Sequence, residues 1–216
     1  VSKFFKSGWC WSSGASKLAN YTYFNPGIRI IKDGKHGRDY FFSEEEREHY
    51  FNILLSQTKW KQDDITIFGK THNQPRLTAL YGNNNKTYSY SNITMYPKEF
   101  NSELLKIKSK IETIINENFT TCLLNLYRDG RDSNGWHSDN EKELGKNPVI
   151  ASVSFGAHRM FHLKHRHFRE LKHKLILDSG SLLIMKGATQ HNWLHQIPKT
   201  KKKVDARINL TFRIVK

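Results

Sequence analysis

Hydrophobic and polar residues follow two different periods along the chain, and the change falls near Phe119. Before it, apolar residues recur at helical spacing. The run Ser43-Glu44-Glu45-Glu46 is typical of a capping box, in which Ser43 caps a helix and Glu46 reaches back to its backbone. We predict a helix from there to about Thr58, with an apolar face of Tyr50, Phe51, Leu54 and Leu55.

A second helix is predicted after Pro97. Its apolar face consists of Phe100, Leu104, Ile111, Ile114 and Ile115. Between the two helices, residues 65–68 and 87–90 have the composition of short strands, and Gly69 and Gly82 mark the adjoining loops.

After Phe119 the pattern becomes that of short strands separated by turns. The predicted strands are 121–127, 149–155, 160–163, 174–177, 181–185 and 207–215. Turn signals such as Asp129-Gly130 and Lys186-Gly187 separate most of them. The pattern predicts an α+β, mainly β protein, in which an all-β sandwich or barrel packs on two N-terminal helices.

Composition limits the class of protein and its partners. With 216 residues, of which 37% are hydrophobic and 12% aromatic, the chain suits one well-cored domain and not a disordered protein. Lys and Arg number 35 against 20 acidic residues, a net charge of +15. This excess favours a polyanionic partner, although a basic surface without a specific partner remains an alternative.

Cysteine content and hydropathy exclude other classes. Cys10 and Cys122 lie far apart, so neither a disulfide framework nor a thiolate zinc site is indicated, and we expect a reducing compartment. No apolar run approaches the roughly 20 residues that cross a bilayer, so we expect no membrane association.

The candidate chemistry begins with His137-Ser138-Asp139, which follows a predicted strand and a glycine turn, and with His195 further on. Two imidazoles and one carboxylate on one side of a metal leave adjacent coordination positions open, which is the facial triad of non-haem Fe(II) oxygenases. Among 11 histidines a His-x-Asp pair also arises by chance, so a hydrogen-bonded surface pair is the alternative.

A second candidate lies on the predicted C-terminal strand. Residues two apart on a strand share a face, so Arg207, Asn209, Thr211 and Arg213 point the same way. Two guanidiniums on one face suit a small dicarboxylate, because arginine binds carboxylates through two parallel hydrogen bonds. The alternative is an edge strand with solvated arginines.

Several motifs, in the same order, resemble the AlkB family of Fe(II)- and 2-oxoglutarate-dependent dioxygenases, and most closely its eukaryotic homologues that repair alkylated DNA. The motifs are Asn125-Leu126-Tyr127, Trp136-His137-Ser138-Asp139, the run 151–156 (ASVSFG), the run 182–185 (LLIM) and the run 207–213 (RINLTFR). The resemblance extends from about residue 65 to 215.

The resemblance implies a double-stranded β-helix (jelly-roll) core within one structural domain. It divides the chain into an N-terminal extension with the first helix at 1–60, a nucleotide-recognition region with hairpins and the second helix at 61–118, and the catalytic core at 119–216.

By the same resemblance the iron ligands are His137, Asp139 and His195. His191 is a rival for the third position, but His195 stands in the family context Trp193-Leu194-His195-Gln196-Ile197-Pro198. The residues implied for 2-oxoglutarate are Arg207, which would bind the distal carboxylate, together with Asn125, Tyr127, Asn209, Thr211 and Arg213.

The implied activity is oxidative dealkylation of N-alkylated bases in DNA, with Fe(II), 2-oxoglutarate and dioxygen, releasing aldehyde, succinate and carbon dioxide. The implied partner is alkylated double-stranded DNA, with single-stranded DNA or RNA as alternatives. An RNA demethylase, a 2-oxoglutarate oxygenase acting on protein and a binding module that has lost catalysis are the alternative functions. We expect a monomer, in the nucleus if the source is eukaryotic and otherwise in the cytoplasm.

Substrate contacts are implied at three places. The segment Phe68-Gly69-Lys70 matches a hairpin whose aromatic residue wedges into the space that a flipped base leaves. Base contacts are implied for Tyr88, Ser89, Tyr90, Asn140 and Glu141, and phosphate contacts for Lys201, Lys202 and Lys203. The alternatives are ordinary strand residues that pack inward and a solvated lysine loop.

Two features depart from or add to the family pattern. Asn140 stands where the duplex-repair homologues have a second aspartate, which weakens attraction for a cationic lesion unless Glu141 compensates. The histidines His158, His162, His165, His167 and His173 suggest either a second metal site or, as we favour from their irregular spacing, a partly charged surface that faces phosphates.

Overall fold

The structure is a computed structural model that describes residues 9–10, 27–31, 41–67, 69–83, 88–90 and 93–216. The helices in these ranges are α1 (Glu44–Gln57), α2 (Ser102–Ile115) and α3 (Thr189–Asn192). The strands are β1 (Trp9–Cys10), β2 (Gly27–Ile31), β3 (Asp64–Ile67), β4 (Lys70–Asn73), β5 (Leu77–Gly82), β6 (Tyr88–Tyr90), β7 (Ile93–Met95), β8 (Thr121–Tyr127), β9 (Asn134–His137), β10 (Ile150–Gly156), β11 (Arg159–His165), β12 (Lys172–Leu177), β13 (Leu182–Lys186), β14 (Trp193–Ile197) and β15 (Arg207–Arg213).

Two antiparallel sheets form the body of the protein. The major sheet has the order β1-β2-β13-β10-β15-β8-β5, and the minor sheet has the order β12-β11-β14-β9. Strands β2 and β5 precede residue 119 and still pair in register with β13 and β8. The two facing sheets are a jelly-roll, which confirms the predicted mainly β fold class. The hairpins β3–β4 and β6–β7 are separate two-stranded units.

Helix α1 begins as the sequence predicts. The Ser43 amide donates to Glu46 Oε2 at 2.7 Å, and the Glu46 amide donates to Ser43 Oγ at 3.2 Å, which completes the capping box. Tyr50 and Leu54 are buried, whereas Leu55 is 37% exposed. The prediction that Leu55 is buried was therefore wrong, because the buried face of α1 is narrower than the apolar pattern.

Helix α2 begins at the Asn101 cap, whose Oδ1 accepts from the Leu104 amide at 2.9 Å. It ends where Asn116 adopts a left-handed conformation with φ 56°. Its buried residues are Leu104, Ile107 and Ile111. Ile114 is 47% exposed, so its predicted place on the buried face was wrong.

The major sheet separates two hydrophobic cores. The first lies between this sheet and the helices and contains Phe42, Leu104, Phe155 and Phe212. The second lies between the two sheets and contains Phe161, Trp193 and Met185. No helix among the described residues is long and apolar enough to cross a membrane.

The strands that the sequence pattern missed have a physical explanation in two cases. Strand β5 is buried along nearly its whole length, so it lacks the alternation that identifies a half-buried strand. Strand β9 is four residues long, and two of them, Gly135 and Trp136, are exposed. The others missed are β1, β2, β4, β7 and β14.

The two isoleucines of α2 give a matched test of this packing. Ile111→Ala should lower the free energy of unfolding by about 2–5 kcal/mol, because it removes a fully buried side chain from the first core. Ile114→Ala should change it by less than about 0.5 kcal/mol. Urea unfolding of both variants measures this, and equal losses would contradict the observed face of α2.

Candidate active site

The minor sheet brings the three predicted metal ligands together. His137 is the last residue of β9, Asp139 follows two residues later, and His195 lies in the middle of β14. His195 is the cross-strand partner of His137. One potential ligand atom from each of the three residues lies within 4.8 Å of the others. The rival His191 lies outside this group, and its Nε2 accepts from the Asn147 amide at 3.2 Å.

Both imidazoles are held in the neutral form that binds metals. His137 Nδ1 donates to the Gly135 carbonyl at 2.7 Å, which leaves Nε2 with its lone pair, 3.9 Å from Asp139 Oδ1. The His195 ring packs against the Phe161 ring with centroids 5.2 Å apart. Burial lowers the pKa of His137, and burial with the neighbouring His137 lowers the pKa of His195 to about 3.

Asp139 is held as a carboxylate by its neighbours. Arg213 Nη2 donates to Asp139 Oδ2 at 2.9 Å, and the Asp139 amide donates to Gln190 Oε1 at 2.9 Å. Burial alone would raise the pKa of Asp139, but the charge of Arg213 and its hydrogen bond to the carboxylate outweigh burial and lower the pKa to about 2.

The donor set fits a divalent metal. Asp139 Oδ1 is buried and has no hydrogen-bond partner among the described residues, which is costly unless a cation takes that place. Two neutral imidazoles and one carboxylate suit Fe(II). Within the described residues this is the one group of three or more such side chains that could hold a metal ion.

The ligands open onto a cavity of about 510 Å³, a volume that includes its mouth. Arg207 lies in its wall and is 1% exposed. Arg207 Nη2 donates to Ser154 Oγ at 2.9 Å, and its guanidinium lies 5.2 Å from the Tyr127 ring centroid. Its Nε and Nη1 are buried without a partner among the described residues. Burial lowers the pKa of Arg207 to about 10, so it stays charged, and it fits a dicarboxylate.

The other residues predicted for the co-substrate also line this cavity, but several bond to the protein itself. Asn209 Nδ2 donates to Ser152 Oγ at 2.7 Å, and Thr211 Oγ1 donates to Asn209 Oδ1 at 3.0 Å. Arg213 pairs with Asp139, as described above. Asn125, Tyr127, Asn209, Thr211 and Arg213 are all buried wall residues.

Comparison with known proteins agrees with this geometry. The profile of the 2OG-Fe(II) oxygenase superfamily matches residues 38–213. The chain belongs to this superfamily.

Sequence relatives place this chain among the AlkB homologues, as its motifs indicated. It is 43% identical over 184 residues to bovine (Bos taurus) alpha-ketoglutarate-dependent dioxygenase alkB homolog 3, covering 81% of this chain and 64% of the relative. It is 37% identical to mouse (Mus musculus) DNA oxidative demethylase ALKBH2, and that match covers 83% of this chain and 76% of the mouse protein. The Arabidopsis thaliana protein of that name is 34% identical, and the match covers 88% of this chain and 71% of the plant protein. The chain thus spans just under two thirds of the length of the bovine relative.

Solved structures share the fold at lower identity. The structure of OsALKBH1 matches with a TM-score of 0.63 and 18% identity, over 89% of this chain and 98% of that one. A prolyl hydroxylase from Trichoplax adhaerens, solved with a peptide fragment of a hypoxia inducible factor, matches with a TM-score of 0.58 and 13% identity, over 88% and 84%. Both support the jelly-roll assignment.

Three buried side chains at or near the cavity were not found from the sequence. Arg76 Nε donates to Asn125 Oδ1 at 2.8 Å and orients that amide in the cavity wall. Gln190 Oε1 accepts a hydrogen bond from the Asp139 amide. Arg159 stacks on Tyr127, with its guanidinium carbon 5.6 Å from the ring centroid. Hydrophobic periodicity carries no signal for a single buried polar residue.

Arg159 also anchors the loop that carries the lysine run. Its Nη2 donates to the carbonyls of Pro198 at 2.7 Å and Asp132 at 2.8 Å. The Thr200 amide donates to the Gly130 carbonyl at 2.8 Å, so two loops are held against each other. Exposed on this loop are Lys201, Lys202 and Lys203.

The remaining predicted substrate residues lie outside the cavity wall where they are described. Strands β3 and β4 form the predicted hairpin, with Gly69 in its turn at φ 74° and Lys70 exposed. Phe68 lies outside the described residues, as do the side chains of β6, namely Tyr88, Ser89 and Tyr90. Asn140 is exposed and Glu141 is partly buried.

The histidine-rich segment is partly structural. His165 and His173 contact the buried Trp193 ring, with centroids 5.1 and 5.2 Å away. His165 is 7% exposed, and its Nδ1 accepts from the His167 amide at 3.1 Å. Burial lowers the pKa of both rings, so for these two histidines the interpretation as a charged, phosphate-facing surface was wrong.

The wall position of Arg207 yields a test. Arg207→Lys keeps the charge but loses the planar fork that matches a carboxylate, so 2-oxoglutarate binding should weaken by about 30-fold or more, as when a buried charge pair is broken. Anaerobic titration of the Fe(II)-loaded protein measures it. Lys186→Arg, at an exposed position, is the control, and an unchanged dissociation constant for Arg207→Lys would exclude Arg207 from co-substrate binding.

Proposed function

We propose that this chain is an Fe(II)- and 2-oxoglutarate-dependent oxygenase that removes alkyl groups from N-alkylated bases of DNA. The observation that carries the proposal is that one cavity contains both the triad of His137, Asp139 and His195 and the buried, incompletely paired guanidinium of Arg207. The similarity to AlkB homologues, among them proteins named DNA oxidative demethylase, supports the choice of DNA.

We infer which residues of the cavity bind the metal and the co-substrate. His137, Asp139 and His195 would hold Fe(II), and Arg207 would bind the distal carboxylate of 2-oxoglutarate. Bound iron, with 2-oxoglutarate and dioxygen, supplies the oxidant that hydroxylates the N-alkyl carbon. The hydroxylated group leaves as aldehyde, and its hydroxyl proton passes to the nitrogen of a neutral base or, from a cationic base, to solvent, while one 2-oxoglutarate becomes succinate and carbon dioxide.

Neighbouring residues fix the charge and the orientation of the proposed metal ligands. Arg213 keeps Asp139 ionised and oriented, and the Gly135 carbonyl fixes the tautomer of His137. Apolar side chains in the wall limit the water that can enter; they are Leu123, Phe161, Leu177, Met185 and Ile197.

The form of the substrate follows from the basic charge and the proposed contacts. We propose alkylated double-stranded DNA as the partner, a monomeric enzyme and, in a eukaryotic cell, a nuclear location. Phe68 as a wedge and Tyr88, Ser89, Tyr90, Asn140 and Glu141 as base contacts remain predictions from the resemblance. Gly69 and Lys70, both exposed at the turn of the β3–β4 hairpin, are the residues that we propose to lie beside the base.

Succinate formation tests the proposal. The Fe(II)-loaded protein should form succinate and aldehyde in equal amounts with an oligonucleotide that carries one N-methylated base, and far less with the unmodified oligonucleotide. His137→Ala should abolish both products, because it removes one of three metal ligands. Stimulation by RNA alone, or by a protein substrate alone, would replace DNA as the substrate, and turnover that persists in His137→Ala would exclude the triad.

The lysine loop predicts a salt effect on duplex binding. Changing Lys201, Lys202 and Lys203 together to Gln should weaken binding to every sequence and reduce the log–log salt slope by about 0.9 for each phosphate that the loop no longer neutralises. The control changes three exposed lysines near the helices, Lys59, Lys98 and Lys106, by the same total charge. If the slope falls equally in both triple variants, the loop has no specific role.

A further inference from the structure

The outer face of the minor sheet has an unusual charge distribution. On β11, Phe161 and Leu163 point into the core between the sheets, so His162 and Lys164 point outward. On β12, Leu175 and Leu177 are buried while the alternate residues Lys172, Lys174 and Ile176 are exposed. All four strands lie within the described residues, and their sequences contain no Asp or Glu.

Two lysines of this face, Lys164 and Lys172, lie directly opposite one another in the strand register. His162 pairs with Lys174, but burial and the charge of Lys174 lower the pKa of His162, so this pair carries one positive charge. Like charges opposite each other on one face of an antiparallel pair destabilise the sheet. An anion bound across the two strands would offset this repulsion. In a sheet with a purely structural role, the repulsion only lowers stability.

An exposed aromatic residue connects this face to the candidate active site. Trp136 directly precedes the ligand His137 on the edge strand β9 and is 39% exposed. The Lys164 ammonium lies 4.4 Å from the Trp136 ring centroid, so the two side chains share the outer face.

A second link is the hydrogen bond from Arg166 Nη2 to Ser138 Oγ at 2.6 Å. Ser138 lies between the two ligands His137 and Asp139. A guanidinium on the connection after β11 therefore lies next to the metal-binding motif.

We propose that this surface, consisting of Trp136, His162, Lys164, Lys172 and Lys174, binds the nucleic-acid strand that carries the target base, beyond the nucleotide in the cavity. An unpaired base stacks on the Trp136 ring, and the Lys164 ammonium moves from the ring to a phosphate. The following phosphates lie along Lys172 and Lys174. The inference rests on the proposed function and adds to it a surface for the part of the target strand that is unpaired next to the flipped base.

The dimensions and chemistry suit a single strand. Neighbouring strands are about 4.8 Å apart, so the path from β9 to β12 is about 14 Å long, the length of a few nucleotides. Aromatic stacking with a basic track is how proteins bind unpaired strands without reading sequence. An acidic protein would satisfy the lysines but would not need the aromatic residue beside the cavity.

The test compares substrates of different length. Each carries one N-methylated base; one is a trinucleotide, and the others add about ten unmodified nucleotides on the 5′ or the 3′ side, within the range that single-strand sites cover. Anisotropy gives the affinity of the anaerobic protein loaded with Fe(II) and 2-oxoglutarate. The wild type should bind one extended oligonucleotide more tightly than the trinucleotide.

Neutralising the surface should remove this advantage. The triple variant Lys164→Gln, Lys172→Gln, Lys174→Gln should lose it, with a log–log salt slope smaller by about 0.7 for each phosphate that the surface no longer neutralises. Its affinities for Fe(II) and 2-oxoglutarate should stay unchanged, because none of the three lysines lines the cavity. The matched control is the triple variant at Lys59, Lys98 and Lys106, which should retain the advantage.

Trp136 gives a second variant that does not depend on charge. Trp136→Ala should weaken binding of the extended oligonucleotide by about 5- to 150-fold, the range for losing one stacked base. Trp136→Phe should retain most of the wild-type affinity, because its ring can still stack.

Three outcomes would overturn the inference. The triple lysine variant could still bind the extended oligonucleotide more tightly than the trinucleotide, to the same degree as the wild type, or the control variant could lose this difference equally. Polyglutamate could also displace the bound oligonucleotide more strongly than an unlabelled oligonucleotide does. Failure of the proposed function would appear separately, as absent wild-type turnover both on the trinucleotide and on a duplex that carries the same N-methylated base.

Discussion

The buried ion pair between Arg213 and Asp139 is the interaction on which the site depends. It joins β15 of the major sheet to Asp139, two residues beyond β9 of the minor sheet, at the place where the two imidazoles meet. Removing one member of such a pair leaves an unpaired buried charge and typically costs about 3–5 kcal/mol. The pair therefore links the packing of the two sheets to the charge of a metal ligand.

The same constraint explains why the cavity suits an anion. Three guanidiniums line it, those of Arg76, Arg207 and Arg213, against the single carboxylate of Asp139. The excess of two positive charges matches a dicarboxylate. A bound divalent metal adds to this charge, so metal and co-substrate should strengthen each other's binding, and each would be held less well alone.

The sequence predicted those parts of the site that repeat along one strand or lie within one short motif. The alternation from Arg207 to Arg213 predicts correctly that alternate side chains share one face, which lies in the cavity wall, because the period of a strand is fixed by its geometry. The choice of His195 over His191 came from its motif, and the structure places His195 with the other two ligands. Arg76, Arg159 and Gln190 could not be found in this way, since their partners lie 27 to 51 residues away.

The predictions of which helix residues and histidines are buried were wrong for one common reason. Hydrophobicity predicts that a residue can be buried, but the neighbouring elements decide which residues are. Leu55 and Ile114 continue the apolar pattern of their helices and still face solvent. His165 and His173 are polar by type, yet Trp193 and the end of the minor sheet enclose them.

Metal binding by His195 is tested most directly by anaerobic calorimetric titration with Fe(II), in the presence of 2-oxoglutarate, of the wild type, His195→Ala and His191→Ala. We expect one Fe(II) per chain in the wild type and in His191→Ala, with similar affinity, and a large loss of affinity in His195→Ala. Retained binding in His195→Ala together with loss in His191→Ala would contradict the assignment of the metal site on which the proposed function rests.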